Sequence, residues 1–231
     1  MFELSATEWT AIQLSLRVAT VATLVATPLG IAVAWLLARR EFWGRSALDA
    51  AIHLPLVLPP VVTGYLLLLT FGRRGLVGAW LADHLGIVFA FRWTGAALAC
   101  GVMSFPLLVR PIRLSIEAVD RRLEQAAGTL GAPPWRVFSS VTLPLALPGV
   151  LAGMVLGFAK AIGEFGATIT FVSNIPGETQ TISSAIYSLI QTPNGDAAAL
   201  RLVVISIVIA MAALVASEWF ARRATQRLHG N

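Results

Sequence analysis

Long apolar runs separated by short charged segments make up most of this chain. A hydrocarbon core about 30 Å thick is crossed by about 20 mostly apolar helical residues. Five stretches meet or approach that length: 11–38, in which Val18 to Ala38 carries no charge; 54–71, "LPLVLPPVVTGYLLLLTF"; 94–109, "TGAALACGVMSFPLLV"; 143–159, "LPLALPGVLAGMVLGFA"; and a fifth within 197–220, with Arg201 near one end. The third closes at Arg110, which can snorkel to the interface, and the fourth runs on through Lys160 and Glu164. The pattern predicts an all-α fold, a polytopic transmembrane helical bundle of five spans, forming one domain over 1–231 with its core at about 11–220. Between spans two and three, 72–93 predicts a short interfacial helix with Trp80 and Trp93 near the headgroups. In 167–195 the polarity is mixed: "NIPGETQ" reads as a turn and "TISSAIYSLIQ" as a short helix at or just inside the outer surface.

The loop 117–144 breaks the apolar pattern. Val119, Leu123, Ala126, Ala127 and Leu130 recur at helical spacing, with Asp120, Arg121, Arg122 and Glu124 on the other side. Gly131 is a natural helix stop, and Pro133 or Pro134 can open a second helix because a first-turn proline loses no needed hydrogen bond. Trp135, Phe138 and Val141 give that helix an apolar edge before Leu143 and Pro144 lead into span four. The prediction is a helix–turn–helix knob. An amphipathic loop lying in the headgroups is the competing reading, but a large aromatic flanked by charges suits a protein pocket better.

Composition supports the bilayer as solvent. The chain is 57% hydrophobic and 13% charged, against about 25% charged in soluble domains. Its net charge of +5 could signal nucleic acid, but the arginines cluster beside the spans and read as orienting charges. Placing the knob in the cytoplasm puts eleven arginines there or at inner span ends: 39, 40, 45, 110, 113, 121, 122, 136, 222, 223 and 227. Arg73, Arg74, Arg92 and Arg201 then lie outside, giving an external N-terminus and a cytoplasmic C-terminus. The opening residues carry Glu3 and Glu8 and no basic residue, so the first span is expected to stay in the mature protein. Cys100 is the sole cysteine, and His53, His84 and His229 are far apart, which excludes an intrachain disulfide and suggests no metal site.

Several span residues carry a second reading. Pro28, Pro55, Pro59, Pro60 and Pro106 are either kinks buried between packed helices or, at "LPLVLPPVVTGY", a broken helix lining a pathway. Three prolines in six residues favour the pathway. Gly149, Gly153 and Gly157 repeat at four-residue spacing and predict close helix packing, within the chain or between two chains. Lys160 and Glu164, four apart on one predicted helix, form either a functional intramembrane pair or an interfacial one, and the two readings carry equal weight.

"EQAAGTLGAPPWRVFSSVTLPLALPG" resembles the cytoplasmic EAA motif of permease subunits in binding-protein-dependent ABC importers. That motif runs Glu-Ala-Ala, three residues, Gly, nine residues, Ile, one residue, Leu-Pro. Its positions fall on Gln125, Ala126, Ala127, Gly131, Val141, Leu143 and Pro144, with Gln125 in place of the glutamate and Val141 in place of isoleucine. Gln125 keeps hydrogen-bonding capacity without charge, and Glu124 beside it faces another direction. "HLPLVLPPVVTGYLLLL", "GRRGLVG", "MSFPLLVRPIR" and "GEFGATITFVSNIPGETQTI" are similar to the molybdate branch of that family, and sulfate permeases look similar in the last of these.

The resemblance implies a bacterial inner-membrane importer for molybdate (or tungstate). It would combine two copies of this chain, two cytoplasmic ATP-binding subunits and a periplasmic molybdate-binding protein. The knob would be a coupling helix seated on the ATPase through Glu124, Gln125, Ala126, Ala127, Gly131, Trp135, Leu143 and Pro144. ATP and Mg would belong to the partner, because the chain has no Walker A loop and its sole lysine sits in "FAKAIG". No catalytic residue, cofactor or nucleic-acid partner is expected in this chain. Candidate pathway or gate residues are Pro59, Pro60, Thr63, Ser104, Lys160, Glu164, Thr168, Thr170 and Ser173, since a dianion in low dielectric needs hydrogen-bond donors. The same machine for sulfate or thiosulfate is the near alternative. A proton-coupled secondary anion transporter using Lys160 and Glu164 is more distant, and an intramembrane enzyme is disfavoured by the lack of paired catalytic aspartates, Gly-x-Ser-x-Gly or His-Glu-x-x-His.

Overall fold

The computed structural model describes residues 4–229, with the helical backbone alone for 217, 218 and 220–229. The side chains of Arg222, Arg223, Arg227 and His229 thus lie outside the described residues. Helix α1 (Ala6–Arg39) starts on a capping box: Glu8 N–H donates to Ser5 Oγ, and Ser5 N–H donates to the Glu8 carboxylate. After α2 (Arg45–Val57) and α3 (Pro60–Phe71) comes α4 (Leu76–Leu85), the short helix expected in 72–93. Helix α5 (Trp93–Ala118) leads to α6 (Arg121–Thr129) and α7 (Pro134–Val137). A π-helical turn at Phe138–Thr142 joins α7 to α8 (Leu143–Ile162). Two short helices, α9 (Gly166–Val172) and α10 (Ile182–Leu189), precede α11 (Asp196–His229). No strand occurs among the described residues.

Helix α5 is the axis of the bundle. It runs parallel to α1, with Gly30 against Leu108 and Val109 and Gly101 facing Ala22. It runs antiparallel to α8, whose glycine stripe permits close approach: Gly149 meets Ser115 and Pro111, Gly153 meets Leu108 and Ile112, and Gly157 meets Leu108. The stripe therefore packs within one chain. Two apolar cores fill the α1–α5–α8 contact, one around Met103 and Phe171, the other around Leu37, Leu108, Ile112 and Ile116. Polar ties close both ends. At the Trp93 end, Glu8 also takes a 2.9 Å ion pair from Arg201 of α11. At the opposite end, Arg113 of α5 binds Asp49 of α2 at 3.0 Å and Glu117 at 2.8 Å.

Among the described residues, four helical segments are long and apolar enough to cross a membrane: α1, α5, Pro134–Ile162 and Asp196–Ala216. A fifth span exists if α2 and α3 are counted together, and here the structure shows the broken helix that the three closely spaced prolines predict. Residues 54–71 are not one helix, because α2 and α3 meet at a 116° bend. The residue before a proline is driven out of the α region, and Leu58 accordingly has φ −72° and ψ 144° ahead of Pro59. Pro60 then opens α3, where its missing N–H costs nothing. By contrast Pro28, Pro55 and Pro106 sit inside continuous helices. A correction concerns span four, which ends at Ile162, so Lys160 and Glu164 do not share a helix.

Candidate functional site

The knob is fastened on one side and bare on the other. Asp120 caps α6 by accepting the Arg122 N–H at 2.9 Å. Gly131 ends the turn at φ +83°, a conformation that glycine reaches without penalty. Pro134 starts α7, and the chain continues without a break through the π-helical turn into α8. The knob's second limb is thus the end of a span rather than a separate helix. No residue of α6 is buried, Leu130 is fully presented, and Trp135 is 67% exposed.

Fastening comes from Glu124. Its Oε1 accepts Arg39 Nε at 3.1 Å and the Thr142 hydroxyl at 2.5 Å, while Arg39 Nη2 also donates to the Val119 carbonyl at 3.0 Å. The Arg39 and Glu124 side chains are only 8% and 18% exposed. Arg39 thereby ties α6 to the end of α1, and Thr142 ties it to the start of α8. Glu124 faces inward, whereas Gln125 and Ala126 face solvent and Ala127 is half-buried. Phe138 does not join the exposed edge. It packs edge-on against Trp35 of α1, ring centroids 6.1 Å apart, which removes it from the apolar edge predicted with Trp135. Leu143 and Pro144 are half-buried at the root of α8.

The second cluster lies where two helix breaks meet. The α2–α3 break ends at Pro60 and the α8–α9 break ends at Gly166, and these two touch: a Cβ on Gly166 would lie 2.7 Å from Pro60 Cβ. One turn into α3, a Cβ on Gly64 would lie 2.5 Å from the Ala167 carbonyl and 2.9 Å from Thr170 Cβ. Glu164 sits in the second break. One carboxylate oxygen takes the Lys160 ammonium at 2.7 Å and the other takes the Ala167 N–H at 2.9 Å, which caps the start of α9. Glu164 is 1% exposed while Lys160 is 30% exposed, so the pair presents its cation.

The other pathway candidates divide by location. Thr63 is buried on α3 beside Gly64, and its hydroxyl has no hydrogen-bond partner among the described residues. The Thr168 and Thr170 hydroxyls donate to the Phe165 and Gly166 carbonyls. Ser104 is buried in α5 and donates to the Gly101 carbonyl. Ser173 is exposed beyond α9 at φ +65°. The structure therefore brings Pro59, Pro60, Thr63, Lys160, Glu164, Thr168 and Thr170 to the helix breaks and leaves Ser173 exposed beyond α9. Sequence reasoning missed the contacts of Arg39, Thr142 and Trp35. Arg39 was visible only as one charge among many, and its partner lies 85 residues away.

A family profile described as "binding-protein-dependent transport system inner membrane component" matches residues 26–226. The chain belongs to that family. Among its inner membrane components, the "Molybdenum transport system permease protein ModB" of Escherichia coli (strain K12) is 61% identical over 220 residues, covering 95% of this chain and 96% of the relative. The protein of the same name from Haemophilus influenzae is 57% identical over 221 residues, 96% of each. A "Probable sulfate transport system permease protein cysT" of Chlorella vulgaris is 36% identical over 178 residues, 77% of this chain and 66% of that one. In fold, the chain is similar to a chain of a bacterial alginate ABC transporter solved with an alginate-bound periplasmic protein. The TM-score is 0.76 at 19% identity, over 96% of this chain and 81% of that one. The chain is thus an all-helical, multi-pass membrane component of a transport system.

Proposed function

We propose that this chain is the permease subunit of an ATP-driven importer that carries molybdate (or tungstate) across the bacterial inner membrane. In this reading it spans five times, the α2–α3 pair being one broken span, with the N-terminus outside and the α6 end in the cytoplasm. Arg39, Arg40, Arg45, Arg113, Arg121, Arg122 and Arg136 support that orientation, since they lie on or beside the elements of the α6 end. Two copies would pair around a central pathway, with an ATP-binding subunit under each and a periplasmic binding protein above. The exposed face of α6 and Trp135 carries the proposal: a preformed, unburied knob rooted in two spans is what a separate motor needs to grip.

Force would travel by two routes. The Glu124–Arg39 tie passes motion of α6 to α1, and the unbroken α7–α8 helix passes it to span four. ATP closure of the motor pair would draw the two knobs together and open the spans outward, and hydrolysis would reset them. The dianion would pass the paired helix breaks, beside the partly exposed Lys160 ammonium, which is ion-paired to Glu164, and the buried, unengaged Thr63 hydroxyl. Such groups offset part of the cost of stripping water from an anion. Substrate choice follows the relatives at 61% and 57% identity rather than the sulfate relative at 36%.

The test is uptake into proteoliposomes holding the chain with its ATPase and binding protein. ATP-dependent accumulation of molybdate, not displaced by excess sulfate, is expected. Accumulation driven by a proton gradient without ATP, or sulfate uptake in preference to molybdate, would overturn the reading.

A further inference from the structure

Helices α1 and α5 enclose an apolar cavity of about 560 Å³ on the side away from α8. One wall is a stripe of α1 at four-residue spacing, Val21, Val25 and Leu29. The facing wall is the matching stripe of α5, Ala97, Gly101 and Phe105. Helix α2 forms the floor with Ala51, Ile52 and Pro55. Trp93 stands at the opposite end, and there the lining changes character. Arg17, one turn before Val21 on the same stripe of α1, lays its guanidinium over the Trp93 ring at 3.7 Å. No carboxylate among the described residues pairs with Arg17, and the side chain is exposed. It is also the residue that ends the charge-free run Val18 to Ala38, so it sits where hydrocarbon gives way to headgroups.

We propose that this groove is a binding site for one anionic glycerophospholipid, its phosphate on Arg17 and an acyl chain in the cavity. Charge and length select that occupant. From Arg17 to Leu29 the stripe rises about 18 Å at 1.5 Å per residue, close to half of a bilayer core of about 30 Å. The groove is therefore as deep as one leaflet. A crossing helix from a second chain needs the full thickness, and α2 blocks its way at Ile52 and Pro55. An acyl chain needs no hydrogen bonds, which suits walls with almost no polar atoms. The cation at the mouth answers a phosphate. On the orientation proposed above, the lipid belongs to the outer leaflet and would brace α1 against α5 on the face that α8 does not cover.

Native mass spectrometry of the complete assembly, in micelles carrying equal phosphatidylglycerol and phosphatidylcholine, tests the site. The wild type should retain phosphatidylglycerol in preference, one per copy of this chain. Arg17→Gln should lower that retention about five-fold, the factor expected for one basic group at a headgroup, and abolish the preference. Gly101→Leu should expel both lipids by filling the cavity. It should fold, because a Cβ there meets nothing nearer than Ala22 O at 3.9 Å. Val25→Trp, at a position exposed to the groove, is a second filling variant with the same expected loss. Equal retention of the two lipids by the wild type, unchanged retention in Arg17→Gln, or retention that survives both filling variants would overturn the proposal. So would disulfide formation between copies of a Val25→Cys variant, which would place a second chain in the groove.

Discussion

Removing the Glu124 carboxylate should loosen the knob from the bundle without unfolding the spans. In Glu124→Gln, Arg39 keeps its bond to the Val119 carbonyl but loses its carboxylate, and Thr142 loses its charged acceptor. A hydrogen bond to a charged group contributes about 1.5–3 kcal/mol, and this pair is shielded on both sides. A loss of about 2 kcal/mol in the local closing of α6 follows, which is about 30-fold in an opening equilibrium. Hydrogen exchange of peptides covering 119–131 reads that number directly, because local opening sets the rate. Arg39→Met should give a similar increase, and the double variant little more than either one, with a coupling energy of about 1–2 kcal/mol. Peptides from α5 should exchange as in the wild type. Exchange within about two-fold of wild type in both single variants, or strictly additive effects, would refute the latch.

Other positions give sharper or cheaper tests. Gly153→Ala should push α8 off α5, since its Cβ would lie 2.5 Å from the Leu108 carbonyl, and thermal unfolding in detergent should show a loss of about 1–3 kcal/mol. Gly131→Val should leave the spans intact, because nothing lies within 4 Å of the new Cβ. Its strain at φ +83° should distort the turn, so ATP hydrolysis should continue while uptake stops. Lys160→Met leaves the buried Glu164 with one N–H in place of an ion pair, and about 3–5 kcal/mol of stability should go with it. Lys160→Met with Glu164→Gln should recover most of that loss, because no uncompensated charge remains.

The spans were legible because burial in lipid leaves a long and redundant signal, and α1, α5, α8 and α11 all fall on the predicted stretches. Local chemistry was legible too: Gly131 and Pro134 act within a few residues, and the turn between α6 and α7 forms where they predict it. Hidden were the consequences of contact. Glu124 and Phe138 read as exposed because the sequence gives no hint that Arg39 and Trp35 stand opposite them. The same blindness made Lys160 and Glu164 a helical pair, when the chain breaks between them and Glu164 serves as a cap. In 54–71 the prolines predicted the break that the Leu58–Pro59 geometry shows, since apolar character sets where a segment lies and not whether it is straight.

Helix α6 and Trp135 are proposed to form the seat of a separate ATPase. Purification of the chain from its native membrane, followed by quantification of any retained Walker A protein, tests it most directly. Wild type should retain one such ATPase per copy of this chain. Trp135→Ala should fold normally, the side chain being 67% exposed, and should lose the ATPase with a drop in affinity of 2 kcal/mol or more, about 30-fold. Wild-type chain that purifies without any such ATPase, or a Trp135→Ala variant that holds it as tightly as wild type, would contradict the account.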